Sequence, residues 1–197
     1  MNLEKLKAAT RPQHEATESL MPEMGPGLTR DGYVAVLRRL YPVVRGWEDW
    51  ARAHAPADLA EMVEGRQRAP LLEADLRVMA MSGAGEGLRF AAERIPALEA
   101  GDARFRAGFL GAMYVMEGST LGGQYIARQV EETLGLRAGE GDAYFRGYGE
   151  RTGEMWRAFR AVLVEVPEDE GEVVITAAKA MFAVFGDGLQ GSLRDSK

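Results

Sequence analysis

The chain contains no cysteine and only two histidines in 197 residues. Without cysteine there are no disulfides, no thiolate nucleophile and no cysteine-based zinc or iron–sulfur centre. The histidine count leaves His14 and His54 as the only imidazole ligands, too few to complete a tetrahedral zinc site. An excess of positive charge is also missing. Lys and Arg number 24 against 30 Asp and Glu, a formal net charge of −6, which argues against a nucleic-acid binder working through a basic footprint. No run approaches the length of uninterrupted apolar residues that a membrane span needs. The charged start MNLEKLKAATRPQHEATE lacks the apolar stretch of a secretion signal. The expectation is a cytoplasmic protein.

Fixed-period repeats and low-complexity tracts are absent as well. What is present is 46% apolar and 27% charged residues, the balance of a folded domain with one sizeable core. The breaks read as loops rather than linkers, so a single domain over residues 1–197 is expected. MPEMGPGLTRDGY (21–33) is dense in proline and glycine and reads as a turn. It ends in Thr29, an N-cap for the helical run Tyr33, Val36, Leu37, Leu40, Tyr41 and Val44, with Pro42 removing a donor inside that run. Residues 53–61 break again, and Pro70 opens a helical pattern over 69–83. The longest pattern runs from Asp102 to Glu132, with an end signalled between Leu134 and Gly141. Residues 150–166 and 171–189 add two more helices. VVIT (173–176) suits a strand, but it runs straight into AAKAMF and is read as helix. The expected class is all-α, with about seven helices.

The longest helix carries Gly118, Gly122 and Gly123, each costing roughly 0.5–1 kcal/mol relative to alanine. Two explanations compete. One is a close helix crossing through a stripe of small residues that Gly108 and Gly111 extend. The other is a flat ligand lying against the helix. Spacing alone favours the crossing. His54, in a Pro/Ala-rich segment, reads as an exposed loop histidine. His14 has Glu18 four residues later on the same helical face. That pairing suits a metal ligand whose second ring nitrogen is held by a carboxylate, but periodicity alone favours an ordinary surface pair. A metal on His14 must bring most of its own ligands, as haem iron does. Thr10-Arg11-Pro12-Gln13 reads locally as a capping box, which places His14 in the first turn of its helix.

LKAATRPQHEATE (6–18), YVMEGSTLGGQ (114–124) and YFRGYGERTGEMWRAF (144–159) together resemble the haem oxygenases, in particular the bacterial group associated with bacteriophytochromes. The resemblance is spread along most of the chain. It implies a single all-helical domain with haem between a proximal and a distal helix. His14 falls on the iron ligand and Glu18 on the carboxylate behind it. Gly118, Ser119 and Gly122 fall on the catalytic face of the distal helix, and Gly123 is a further haem contact. Lys7 falls on a propionate contact, with Arg157, or alternatively Arg160, as a second. Ser119 stands where many relatives carry an aspartate, and Met113 where many carry a propionate-binding tyrosine, for which the neighbouring Tyr114 is the candidate substitute. The resemblance also implies a helix running from about Leu3, with Pro12 accommodated inside it.

The implied reaction is oxidative opening of haem by O2 and electrons to biliverdin, expected to be the IX-alpha isomer, with CO and ferrous iron. Haem is both substrate and cofactor. No flavin or iron–sulfur motif is present, so an external ferredoxin- or flavodoxin-type donor is expected, and a bacteriophytochrome as recipient of the bilin. The alternative is a non-catalytic haem-binding or haem-sensing protein of the same fold. Related helical enzymes acting on thiamin-like substrates use a cysteine nucleophile, which this chain lacks.

Overall fold

The computed structural model describes residues 1–80, 90–99 and 102–190. Eight α-helices and four short 3-10 turns account for the regular structure of these residues, with no strand. The helices are α1 (Leu3–Glu18), α2 (Arg30–His54), α3 (Ala60–Glu64), α4 (Ala69–Ala80), α5 (Phe105–Leu134), α6 (Ala143–Arg146), α7 (Thr152–Val164) and α8 (Gly171–Gln190). The all-α expectation holds, and VVIT lies inside α8. Residues 81–83, which the sequence pattern adds to α4, lie outside the described residues.

The helix starts follow from identifiable caps. The Asn2 side chain accepts the Lys5 N–H at 3.0 Å and opens α1. The capping box expected at Thr10 is therefore corrected: the Thr10 hydroxyl instead donates backwards to the Leu6 carbonyl at 2.9 Å. The helix runs through Pro12, and His14 sits in its fourth turn. A stronger upstream cap and a continuous apolar face outweigh the local signal. Thr29 caps α2 as expected, its hydroxyl accepting the Gly32 N–H at 3.1 Å. Helix α2 continues past Pro42 to His54, which is thus the last residue of a helix rather than part of a loop. Gly135, at φ +66°, ends α5.

The chain forms two compact units. The first comprises Met1–Leu20, Ala91–Leu121 and Tyr148–Gly186. Its core includes Phe109, Leu110, Phe159, Leu163, Val174 and Met181, each with 0% exposed surface and each contributing about 1.5–3 kcal/mol by burial. Two glycines of α5 let other backbone come close here. A Cβ on Gly111 would lie 2.4 Å from the Val174 carbonyl oxygen of α8, and one on Gly108 would lie 2.9 Å from that of Ala97.

The second unit comprises Met21–Phe90, Gly122–Gly147 and the chain from Asp187. Helix α2 packs on α4, and the buried Glu48 of α2 supplies what α4 needs to begin. Its carboxylate accepts the Arg68 N–H at 2.7 Å and the Ala69 N–H at 2.9 Å. Burial pushes the Glu48 carboxyl up, and these amides pull it back. Asp75 acts similarly for α6, accepting the Ala143 and Tyr144 amides at 2.9 and 2.8 Å. The Tyr33 hydroxyl donates to the Gly141 carbonyl at 2.8 Å. No helix of the described residues is long and apolar enough to cross a membrane.

Candidate active site

On α1, His14 is exposed. Its Nδ1 faces Glu18 Oε2 at 3.6 Å, within ion-pair range but longer than a hydrogen bond. The ring of Phe182, from α8, stands edge-on to the imidazole with centroids 6.0 Å apart. With Nδ1 turned to the carboxylate, Nε2 is the nitrogen left to meet a ligand. His54 is held differently: its Nδ1 lies 2.8 Å from the Trp50 carbonyl, and its ring stacks on Trp50 at 4.9 Å. Among the described residues no group of three or more His, Asp or Glu side chains is arranged to hold a bare metal ion. The donor set fits an iron that arrives with its own macrocycle.

On α5 the small-residue stripe divides into two kinds. Gly111 and Gly118 are seven residues apart and share a helical face. At Gly111 that face is filled by α8, whereas a Cβ on Gly118 would meet nothing within 4 Å among the described residues beyond the helix's own backbone. Gly122 is equally open. Gly123 is not: it is buried, and a Cβ there would lie 2.6 Å from the Phe145 carbonyl oxygen. Close packing thus accounts for Gly108, Gly111 and Gly123, and something else is required for Gly118 and Gly122. The expected haem contact of Gly123 is replaced by an approach to Phe145.

Ser119 is exposed, and its hydroxyl donates to the Met116 carbonyl at 2.7 Å. The next hydroxyl, Thr120, does the same to the Glu117 carbonyl at 2.7 Å. Two consecutive back-bonded hydroxyls beside a glycine weaken and bend a helix locally. The turn of α5 that carries the open glycines is therefore the one built to deform.

Met113 is buried in the core and faces no open surface. Tyr114 is half-buried and marks where α1, α5 and α7 meet. Burial pushes its phenol up, while Thr10 of α1 and the Arg160 guanidinium of α7 act in the opposite sense. Its ring also lies 5.9 Å from that of Trp156. From this junction His14 is one helical turn beyond Thr10, and Gly118 is one turn beyond Tyr114, about 6 Å along each axis. Lys7 lies on the other side of Thr10 and is exposed. Arg160 is brought to Tyr114, whereas Arg157 extends past Gly153. Sequence reasoning passed over Glu117, a buried carboxylate accepting a hydrogen bond from the Tyr148 hydroxyl at 2.8 Å. The signal was available: it is the one acidic residue in the otherwise apolar run GFLGAMYVMEGSTL.

The fold is that of the haem oxygenases. A structure of the Neisseria meningitidis enzyme in its NO- and CO-bound forms superimposes with a TM-score of 0.74 at 19% identity, covering 98% of this chain and 94% of that one. The Leptospira interrogans haem oxygenase also gives 0.74, at 18% identity, covering 94% of this chain and 97% of that one. In sequence, the heme oxygenase family model matches residues 1–190. A haem oxygenase of Xanthomonas campestris pv. campestris (strain 8004) is 30% identical over 172 residues, which is 84% of this chain and 94% of that protein. The chain belongs to the haem oxygenase family.

Proposed function

We propose that the protein cleaves haem oxidatively to biliverdin, CO and ferrous iron, with His14 of α1 as the iron ligand and the Gly118–Gly122 face of α5 against the opposite side of the macrocycle. The observation that carries this reading is the division of the α5 glycines. Helix packing explains Gly111 and Gly123, and leaves Gly118 and Gly122 facing open space. A flat ligand lying against the helix backbone is what such a face accommodates. Haem supplies the redox chemistry when bound. The protein's own residues bind and orient it. Glu18 holds His14 Nδ1, so that a neutral imidazole presents Nε2. Lys7 and Arg160 are the cations for the propionates, with Arg160 preferred to Arg157 because it reaches the Tyr114 junction. Their placement sets the rotation of the ring in its plane, and the alpha edge is the one directed to attack. The finer assignments belong to the same reading: one haem oxygenase-like domain over residues 1–197, a cytoplasmic location, an external ferredoxin- or flavodoxin-type electron donor, and a bacteriophytochrome as acceptor of the bilin.

The test is to add haem to the purified protein, then a reductant under air. The expected result is a histidine-ligated Soret band that decays as biliverdin appears. A Soret band that persists without bilin release would identify a non-catalytic haem carrier or sensor and overturn the enzymatic reading.

A further inference from the structure

Residues 105–121 of α5, its portion in the first unit, contain a single carboxylate, Glu117. It is 3% exposed, between the equally buried Met116 and the open turn at Gly118. Its Oε1 accepts the Tyr148 hydroxyl proton at 2.8 Å, and its backbone carbonyl accepts that of Thr120. Burying a carboxylate carries a desolvation penalty that a neutral amide largely avoids. Glutamine would accept the same hydrogen bond from Tyr148, so tethering Tyr148 does not by itself require a charge. The hydroxyl beyond Gly118 brings none either, because Ser119 donates to a helix carbonyl. The charged groups placed around the Tyr114 junction, Lys7 and Arg160, are cationic. Glu117 is the anion built into the helix at the open glycine.

We propose that Glu117 is a positioning residue whose negative charge sets the electrostatic potential at the haem face beside Gly118, with the Tyr148 hydroxyl fixing where that charge sits. This rests on the haem-binding reading above. Tyr148 opens the turn that leads into α7, the helix carrying Arg160. Its bond to Glu117 therefore ties the glycine-bearing turn of α5 to the start of the helix that bears a propionate cation. The pair combines charge and placement, and the two are separable by substitution. Glu117→Gln keeps an acceptor for Tyr148 and removes the charge. Tyr148→Phe keeps the ring and the charge and removes the anchor.

The experiment is a pH titration of the ferric haem complex, following the high-spin to low-spin change in its visible spectrum, alongside thermal melts of the haem-free proteins. Losing a negative charge makes the more negative alkaline form easier to reach. Glu117→Gln is expected to lower the midpoint by roughly half a unit or more, the size of a unit charge acting over about 10 Å at intermediate dielectric. Tyr148→Phe is expected to move the midpoint too, and the double variant to shift no further than Glu117→Gln alone, as coupled groups do. Variants that melt lower but titrate like the wild type would show a purely structural tether and overturn the proposal. If Glu117→Gln does not fold, an unchanged midpoint in Tyr148→Phe overturns it equally. Wild-type protein that binds no haem through histidine would overturn the underlying haem reading first, and is recognised before any variant is made.

Discussion

Replacing Gly118 with alanine is expected to stabilise the haem-free protein while weakening its hold on haem, and the same change at Gly111 is expected to do the reverse. Alanine in a helix interior is favoured over glycine by roughly 0.5–1 kcal/mol. At Gly118 nothing opposes that gain, since the new methyl meets no neighbour within 4 Å. In a protein of this size, 1 kcal/mol moves Tm by roughly 2–4 °C, so a rise of about 1–4 °C is expected. At Gly111 the methyl would lie 2.4 Å from the Val174 carbonyl oxygen and 3.0 Å from the Ala177 Cβ. Backbone rather than a flexible side chain must then yield, at about 1–3 kcal/mol for overpacking, which outweighs the propensity gain. With haem present the ranking inverts. If the macrocycle lies on the Gly118 face, a methyl there intrudes on it. A penalty of about 1–3 kcal/mol weakens binding roughly 5- to 150-fold. Urea and thermal unfolding of the haem-free proteins, with Soret titrations of haem affinity, measure both effects. Gly118→Ala destabilising the haem-free protein as much as Gly111→Ala, with haem affinity intact, would refute the division of the glycines.

Three further outcomes are expected. His14→Ala should abolish the histidine-ligated spectrum and bilin formation, whereas His54→Ala should preserve both; absorption spectra and product analysis decide, and damage from His54→Ala alone would show that α1 is not the ligand helix. Glu48→Gln should cost about 1–3 kcal/mol in urea unfolding, because the carboxylate uses both oxygens on the Arg68 and Ala69 amides and an amide has only one acceptor. Asp75 should impose a pH dependence on stability. Burial pushes its folded pKa from 3.8 up to about 6, so the folded state binds more protons than the unfolded between those values. Stability from this group therefore falls as pH rises from about 4 to 6, by at most ~3 kcal/mol. Asp75→Asn should flatten that part of the curve, and an unchanged slope in denaturation series across this range would contradict the assignment.

The parts of the fold legible in sequence are those where the deciding groups are neighbours in the chain. Thr29 caps its own helix, Gly135 ends α5, and the apolar spacing of 171–189 outweighs the strand-like VVIT. Where the deciding group is distant, local reading fails. The capping motif at Thr10 is a sound local signal overridden by Asn2 and by the packing of α1. The glycine stripe shows the same limit at the candidate site. Gly111 and Gly118 share a face and a residue type, so only the path of α8 distinguishes the packed glycine from the open one. Spacing correctly suggested close packing for Gly108 and Gly111 and wrongly extended it to Gly118. Arg157 and Arg160 are likewise equivalent in sequence until α7 is placed beside Tyr114.

The carboxylate that completes the first turn of α4 comes from α2, twenty residues upstream. Helix α2 has its own local cap and 25 residues over which to propagate, whereas α4 spans 12 and takes its N-terminal partners from elsewhere. Helices that short are marginal alone in water. The order of assembly follows: α2 forms first and offers Glu48 as the template on which α4 nucleates. A synthetic 69–80 peptide is expected to show little helix by circular dichroism, and one reaching back through α2 considerably more.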